Sequence, residues 1–129
     1  MADDDLRDDS VLTYCCAVTP HALWLLRRLL EQWLAERHVA ADDADDLVVI
    51  VNELCSSAVV HGNGEEIEVS ARLVDHDVHV EVVGHAPQSA VEPAEIALAR
   101  TLSADLDVEM SPHRAVLRCR RPVRLTQPA

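Results

Sequence analysis

Two spacings of apolar residues alternate along this chain. Leu23, Leu26, Leu30, Trp33 and Leu34 recur at intervals of three and four, the repeat of one helix face. Arg27, Arg28, Glu31 and Gln32 fill the other face, with Arg27 and Glu31 one turn apart. Thr19 and Pro20 stand in front, a hydroxyl suited to capping and a proline suited to the first helical position. The spacing predicts a helix from Pro20 to about Arg37. A second helical stripe, Leu47, Val51, Leu54 and Ala58, follows "AADDADD" at 40–46, whose four aspartates suit the positive end of a helix dipole. Gly62 stands where a left-handed cap would end it.

The second spacing has a period of two. Ile67, Val69, Ala71 and Leu73 alternate with Glu66, Glu68, Ser70 and Arg72, and Val78, Val80 and Val82 alternate with Asp77, His79 and Glu81. "DHD" links the two runs, so an antiparallel hairpin is predicted. "VLTYCCAV" at 11–18 reads as a further strand, residues 84–92 as a loop, and Pro93 to about Ser103 as a short helix. "LDVEM" and "RAVLRCR" form a last hairpin around Ser111, Pro112 and His113. Strands in hairpins with few helices define an α+β fold: a two-layer α/β sandwich, its sheet mostly antiparallel, with about three helices on one face. The expected organisation is a disordered acidic segment at 1–10, one domain at 11–122 and a tail at 123–129.

Composition narrows the function classes. With 129 residues, no Phe, one Tyr and two Trp, one aliphatic core is expected. A net charge of −12 repels phosphate backbones, which argues against nucleic-acid binding. Arg114, Arg118, Arg120, Arg121 and Arg124 run against this trend, and read as a solvated strand edge or as a docking patch for an acidic partner. No apolar run approaches the roughly 20 residues of a membrane span, and no secretory signal is evident, so a cytoplasmic protein is expected. There, Cys15, Cys16, Cys55 and Cys119 would be reduced. Cys15 and Cys16, adjacent on a strand, would point to opposite faces; buried small hydrophobes are the first reading and a redox switch the second. His76, His79, His85 and His113 read as surface histidines, and no metal-type cysteine spacing or Ser-His-Asp context exists.

The candidate chemistry lies in "VNELCSSAVVHG" at 51–62. Glu53, Ser57 and His61 are spaced i, i+4 and i+8, a line along one helix face roughly 100° from the buried stripe. Such a line faces water or a ligand.

"ELCSSAVVHG" resembles the signature helix of the GHKL (histidine kinase/Hsp90-like) ATPase superfamily, with its pattern E-L-x-x-N-A-x-x-H-G. The closest branch is the small bacterial anti-sigma-factor serine kinases and their actinobacterial ATP-binding relatives. Glu53, Leu54, Ala58, His61 and Gly62 match, and element order is similar over about 11–121. The resemblance implies a Bergerat-like fold. It also implies an Asn that ligates Mg²⁺, a Glu that serves as base, an Asp after the hairpin that accepts from adenine, and a Gly-rich lid over the phosphates.

Three of those groups are replaced. Ser57 holds the Asn position, Gly84 beside His85 holds the Asp position, and "HAPQSAVEPAEIALA" has no glycine in the lid region. Losing a buried acceptor for a base costs ~1–3 kcal/mol, and each ~1.4 kcal/mol is tenfold in affinity. The expected nucleotide site is therefore vestigial, comprising Glu53, Ser57, His61, Gly62, Gly84 and His85, with no metal ligand, no cofactor and no confident catalytic residue. The expected function is a non-catalytic, anti-sigma-factor-like regulator. It would bind a sigma factor or an antagonist protein of the STAS type, with a homodimer through the first strand and helix left open. The alternatives are an active ATP/Mg-dependent serine/threonine kinase, with Glu53 catalytic, and a thiol-based redox regulator.

Overall fold

The computed structural model describes residues 11–17, 19–61, 66–85 and 93–126, and only the backbone at 59–61, 85, 93 and 94. Strand β1 is Val11–Ala17, helix α1 Pro20–Glu36, helix α2 Ala41–His61, strand β2 Glu66–Val74 and strand β3 Asp77–His85. A 3-10 turn at Pro93–Ile96 then leads into helix α3, Ala97–Leu102, and strands β4, Asp105–Met110, and β5, Arg114–Pro122, close the order. The strands form one antiparallel sheet in the order β1-β2-β3-β5-β4. The helices lie on one face. This is the expected α+β two-layer sandwich.

Local chemistry sets the helix ends. The Thr19 hydroxyl accepts from the Ala22 N–H at 3.1 Å, and Pro20 opens α1 as predicted. At the other end His38 takes a left-handed φ of 63°. The Val39 N–H reaches the Leu34 carbonyl and the His38 N–H the Ala35 carbonyl, both at 3.1 Å. That pair of bonds satisfies carbonyls the helix leaves open, and it buries Val39 beside Leu34. Asp75, with φ 56°, turns the β2–β3 hairpin in a conformation aspartate tolerates.

The core is the predicted one, enlarged. Leu26, Leu30, Trp33 and Leu34 of α1 and Leu47, Val51, Leu54 and Ala58 of α2 are buried, joined by Ile50 and Cys55. They pack on Cys16, Ile67, Val69, Ala71, Val78, Val80, Val82, Ala115, Leu117 and Cys119. Cys15 is exposed and Cys16 buried, on opposite faces as expected. Among the described residues no helix is long and apolar enough to cross a membrane.

Four details differ from the sequence reading. Arg28, not Arg27, lies near Glu31, at 4.0 Å. Strand β5 lies between β3 and β4, so its arginines are not at a sheet edge. Residues 123–126 are no loose tail: Val123 is buried, the Ala40 N–H donates to the Arg124 carbonyl at 2.8 Å, and the Thr126 N–H donates to the His38 carbonyl at 2.6 Å. Strand β3 runs on through Gly84 and His85, which the sequence reading placed in a loop. Residues 1–10, read as disordered, lie outside the described residues.

Candidate functional site

Helix α2 presents its polar line to α3. The Glu53 carboxylate is half-buried, and its Oε1 accepts from the Leu98 N–H, at the start of α3, at 3.2 Å. Ser57, one turn on, is 3% exposed, and its hydroxyl has no hydrogen-bond partner among the described residues. The line therefore faces protein at these two positions and not water. His61 is the last residue of α2. Its side chain and Gly62 lie outside the described residues, as does the expected lid at 86–92.

Across from this line, β3 ends in Gly84 and His85, opposite Ala115 and Arg114 of β5. Gly84 is buried and points toward α2. A Cβ placed there would meet Ala58 Cβ at 3.7 Å and the Ala58 carbonyl oxygen at 3.8 Å, ordinary van der Waals distances. Ser57, Ala58 and Gly84 thus belong to one neighbourhood, and Glu53 borders it. No carboxylate stands at position 84 to accept a hydrogen bond.

A polar network that the sequence reading did not assemble locks this frame. Asp43, in the first turn of α2, is buried. It accepts from the Arg124 N–H at 2.8 Å, from Arg121 Nη2 at 2.8 Å and from Arg124 Nε at 3.3 Å. Burial by itself raises the Asp43 carboxyl, but these hydrogen bonds outweigh it and leave the pKa below its ordinary value. Arg121 also reaches Asp46 at 2.7 Å and the Leu102 carbonyl at 2.6 Å, so it ties the end of α3 to the start of α2. The signal was present as two oppositely charged runs, "DDADD" and "RRPVR", but their pairing depends on where β5 runs.

Two further arginines of β5 are neutralised within the sheet. Arg118 reaches Glu81 and Glu109, both at 2.8 Å, and Arg120 reaches Asp105 at 2.6 Å and Asp77 at 3.2 Å. Their hydrogen bonds hold Glu109 below, and Arg118 and Arg120 above, their ordinary pKa values. The docking patch for an acidic partner is therefore engaged within the fold at Arg118, Arg120 and Arg121, while Arg114, exposed at the start of β5, stands outside these pairs. The thiols are weakly acidic: desolvation raises Cys16 and pushes Cys55 up to about 12, while desolvation and then Glu68, 3.5 Å away, raise Cys15. Among the described residues no group of three or more His, Cys, Asp or Glu side chains could hold a metal ion.

A five-stranded antiparallel sheet covered on one face by a long signature-type helix and its neighbours is an ATPase-type α+β sandwich. Comparison with known proteins places it more closely. The model of the histidine kinase-like ATPase domain matches residues 16–120, and this chain belongs to that family. No curated protein matches it. Among solved structures, the crystal structure of the RsbU and RsbW domains of Rv1364c from Mycobacterium tuberculosis is similar in fold, with a TM-score of 0.76 and 23% identity. The match covers 92% of this chain and 33% of that one, so this chain spans about a third of its length.

Proposed function

We propose that this chain is a regulator of the anti-sigma-factor type that acts by binding a protein partner, on a scaffold whose nucleotide site has decayed. Its partner in this reading is a sigma factor or an antagonist of the STAS type, met in the cytoplasm. The observation that carries the proposal is a buried Ser57 on α2 together with Gly84, which packs against the adjacent Ala58. Where the family holds adenine through a carboxylate, this chain has no side chain. Where the family ligates Mg²⁺ through an Asn, it has a shorter hydroxyl, buried and unpartnered. Magnesium prefers several hard oxygen ligands in octahedral array. One serine hydroxyl and a Glu53 carboxylate already bonded to Leu98 are a poor start for that array. In this reading the described residues of the site do not fit Mg-ATP.

A partner surface is at hand on α1. Trp24, Leu25 and Leu29 are exposed, and Arg28 lies 5.8 Å from the Trp24 ring. Exposed Trp and Arg side by side are typical of residues that dominate binding energy. Edge strand β1 is uncharged along its length, whereas edge strand β4 carries Asp105, Asp107 and Glu109. Charged edges resist pairing and uncharged ones invite it. A homodimer through this side of the molecule belongs to the same proposal.

Calorimetric titration with Mg-ATP tests the reading. The expected outcome is no binding tighter than about 100 µM, some 5–6 kcal/mol. Tighter binding, or transfer of labelled phosphate to a partner serine, would establish the kinase instead. A redox regulator finds less support, since every shifted thiol is shifted away from the reactive thiolate.

A further inference from the structure

The sheet face turned away from the helices carries an ordered lattice of charge, and one place in it is incomplete. Arg72 of β2 stands directly opposite His79 of β3, and His79 opposite Arg120 of β5. Three basic side chains therefore form one row across adjacent strands. Like charges placed opposite one another are unfavourable unless something neutralises them.

The neutralising carboxylates of β3 are already engaged elsewhere. Asp77 turns to Arg120 at 3.2 Å and Glu81 to Arg118 at 2.8 Å, both toward β5 and away from β2. Arg72 is exposed and makes no hydrogen bond or ion pair among the described residues, and the same holds for the half-buried His79. Arg27 of α1 is likewise exposed without such a partner among the described residues, but Arg72 stands in a row of basic side chains. Arg72 and His79 line a groove of about 390 Å³, together with Val11, Ser70, Glu81 and Arg118. That volume suits a small molecule.

We propose that this groove is an oxyanion site for a small dianion bearing phosphate or carboxylate groups. It lies on the face opposite the α2–α3 site, and it stands whether or not that site binds nucleotide. Arg72 supplies a two-pronged guanidinium donor. His79 and the Ser70 hydroxyl supply further donors from the neighbouring strand and the next row. Arg118 stays with Glu81, which keeps that carboxylate from repelling the ligand. The floor is backbone of three paired strands, so the donors need little rearrangement to meet an anion.

The experiment is NMR titration of the full chain with inorganic phosphate, and separately with succinate, at low ionic strength. The expected result is saturable shift of the Ser70, Arg72 and His79 amides by at least one of the two, with the better ligand naming the oxyanion. Arg72→Ala should weaken that binding about tenfold or more, and Arg72→Lys should recover it only in part, because the fork geometry is lost. Arg27→Ala removes a comparable exposed cation from α1 and should leave binding unchanged. Amide shifts that grow linearly without saturation, or equal affinity in Arg72→Ala and Arg27→Ala, would overturn the proposal.

Discussion

Ser57 is the residue at which the chain's history and its present packing meet. Its hydroxyl is buried without a partner among the described residues, and an unmade hydrogen bond of that kind costs about 1–3 kcal/mol. Ser57→Ala should therefore raise stability by about 1 kcal/mol in urea unfolding; a loss of stability would mean the hydroxyl has a partner in solution. Gly84 is a different case. Its φ is not left-handed, and an added Cβ would meet only Ala58 at ordinary distances. Nothing in the backbone demands a glycine there. Gly84→Asp combined with Ser57→Asn should fold and strengthen Mg-ATP binding at least about tenfold, the scale of one recovered polar contact. No gain would show that these two positions do not limit nucleotide affinity. That Ser57 is buried could not be read from its spacing. A polar line on a helix looks the same whether it faces water, ligand or another helix, and at Glu53 the deciding neighbour is the six-residue α3.

At the scale of elements, the long periodic ones were legible and the short ones were not. Helices α1 and α2 and the β2–β3 hairpin follow from spacings of 3.6 and 2 that only one geometry satisfies. The end of α1 was legible to within a residue, although a histidine fills the left-handed position where glycine is usual. The place of β5 was not legible. Its arginines suggested an exposed edge, but "RAVLRCR" lies between two strands and sends alternate residues to opposite faces. Which strands flank a given strand depends on contacts far apart in sequence. Helix α3 is too short to hold itself, and Glu53 secures its first turn through the Leu98 N–H. Glu53→Ala should accelerate hydrogen exchange at Leu98 about fivefold or more, an opening energy lower by about 1 kcal/mol, while α1 amides keep their protection. Glu53→Gln retains an acceptor and should restore most of it.

Over the whole molecule, the balance of charge gives stability a definite dependence on pH. The folded Asp43 carboxyl has a pKa below its ordinary value, so the unfolded chain takes up that proton first. Its contribution is fully present above the unfolded pKa of about 3.9 and is lost as pH falls through the lower folded value. Glu109 shifts in the same direction. Urea midpoints followed by circular dichroism should fall from pH 6 toward pH 3, and Asp43→Asn should flatten that fall. Asp43→Asn should also cost about 2 kcal/mol at neutral pH, because it removes the charge from the hydrogen bonds to Arg121 and Arg124 while Arg121 keeps Asp46. A slope unchanged by the substitution would assign the acid sensitivity to other carboxylates.

The strap formed by residues 121–126 has a consequence for how the molecule is made. It fastens to His38, Ala40 and Asp43, which leave the ribosome some 80 residues earlier. Until residues 121–126 emerge, the start of α2 holds a carboxylate without the cations that receive it in the fold, and the joint between the two long helices lacks this strap. Helices and first hairpin can gather as translation proceeds, but the final tightening must wait until that strap has emerged. A ribosome stalled after Leu117 would carry a nascent chain that a protease still cuts at the α1–α2 joint.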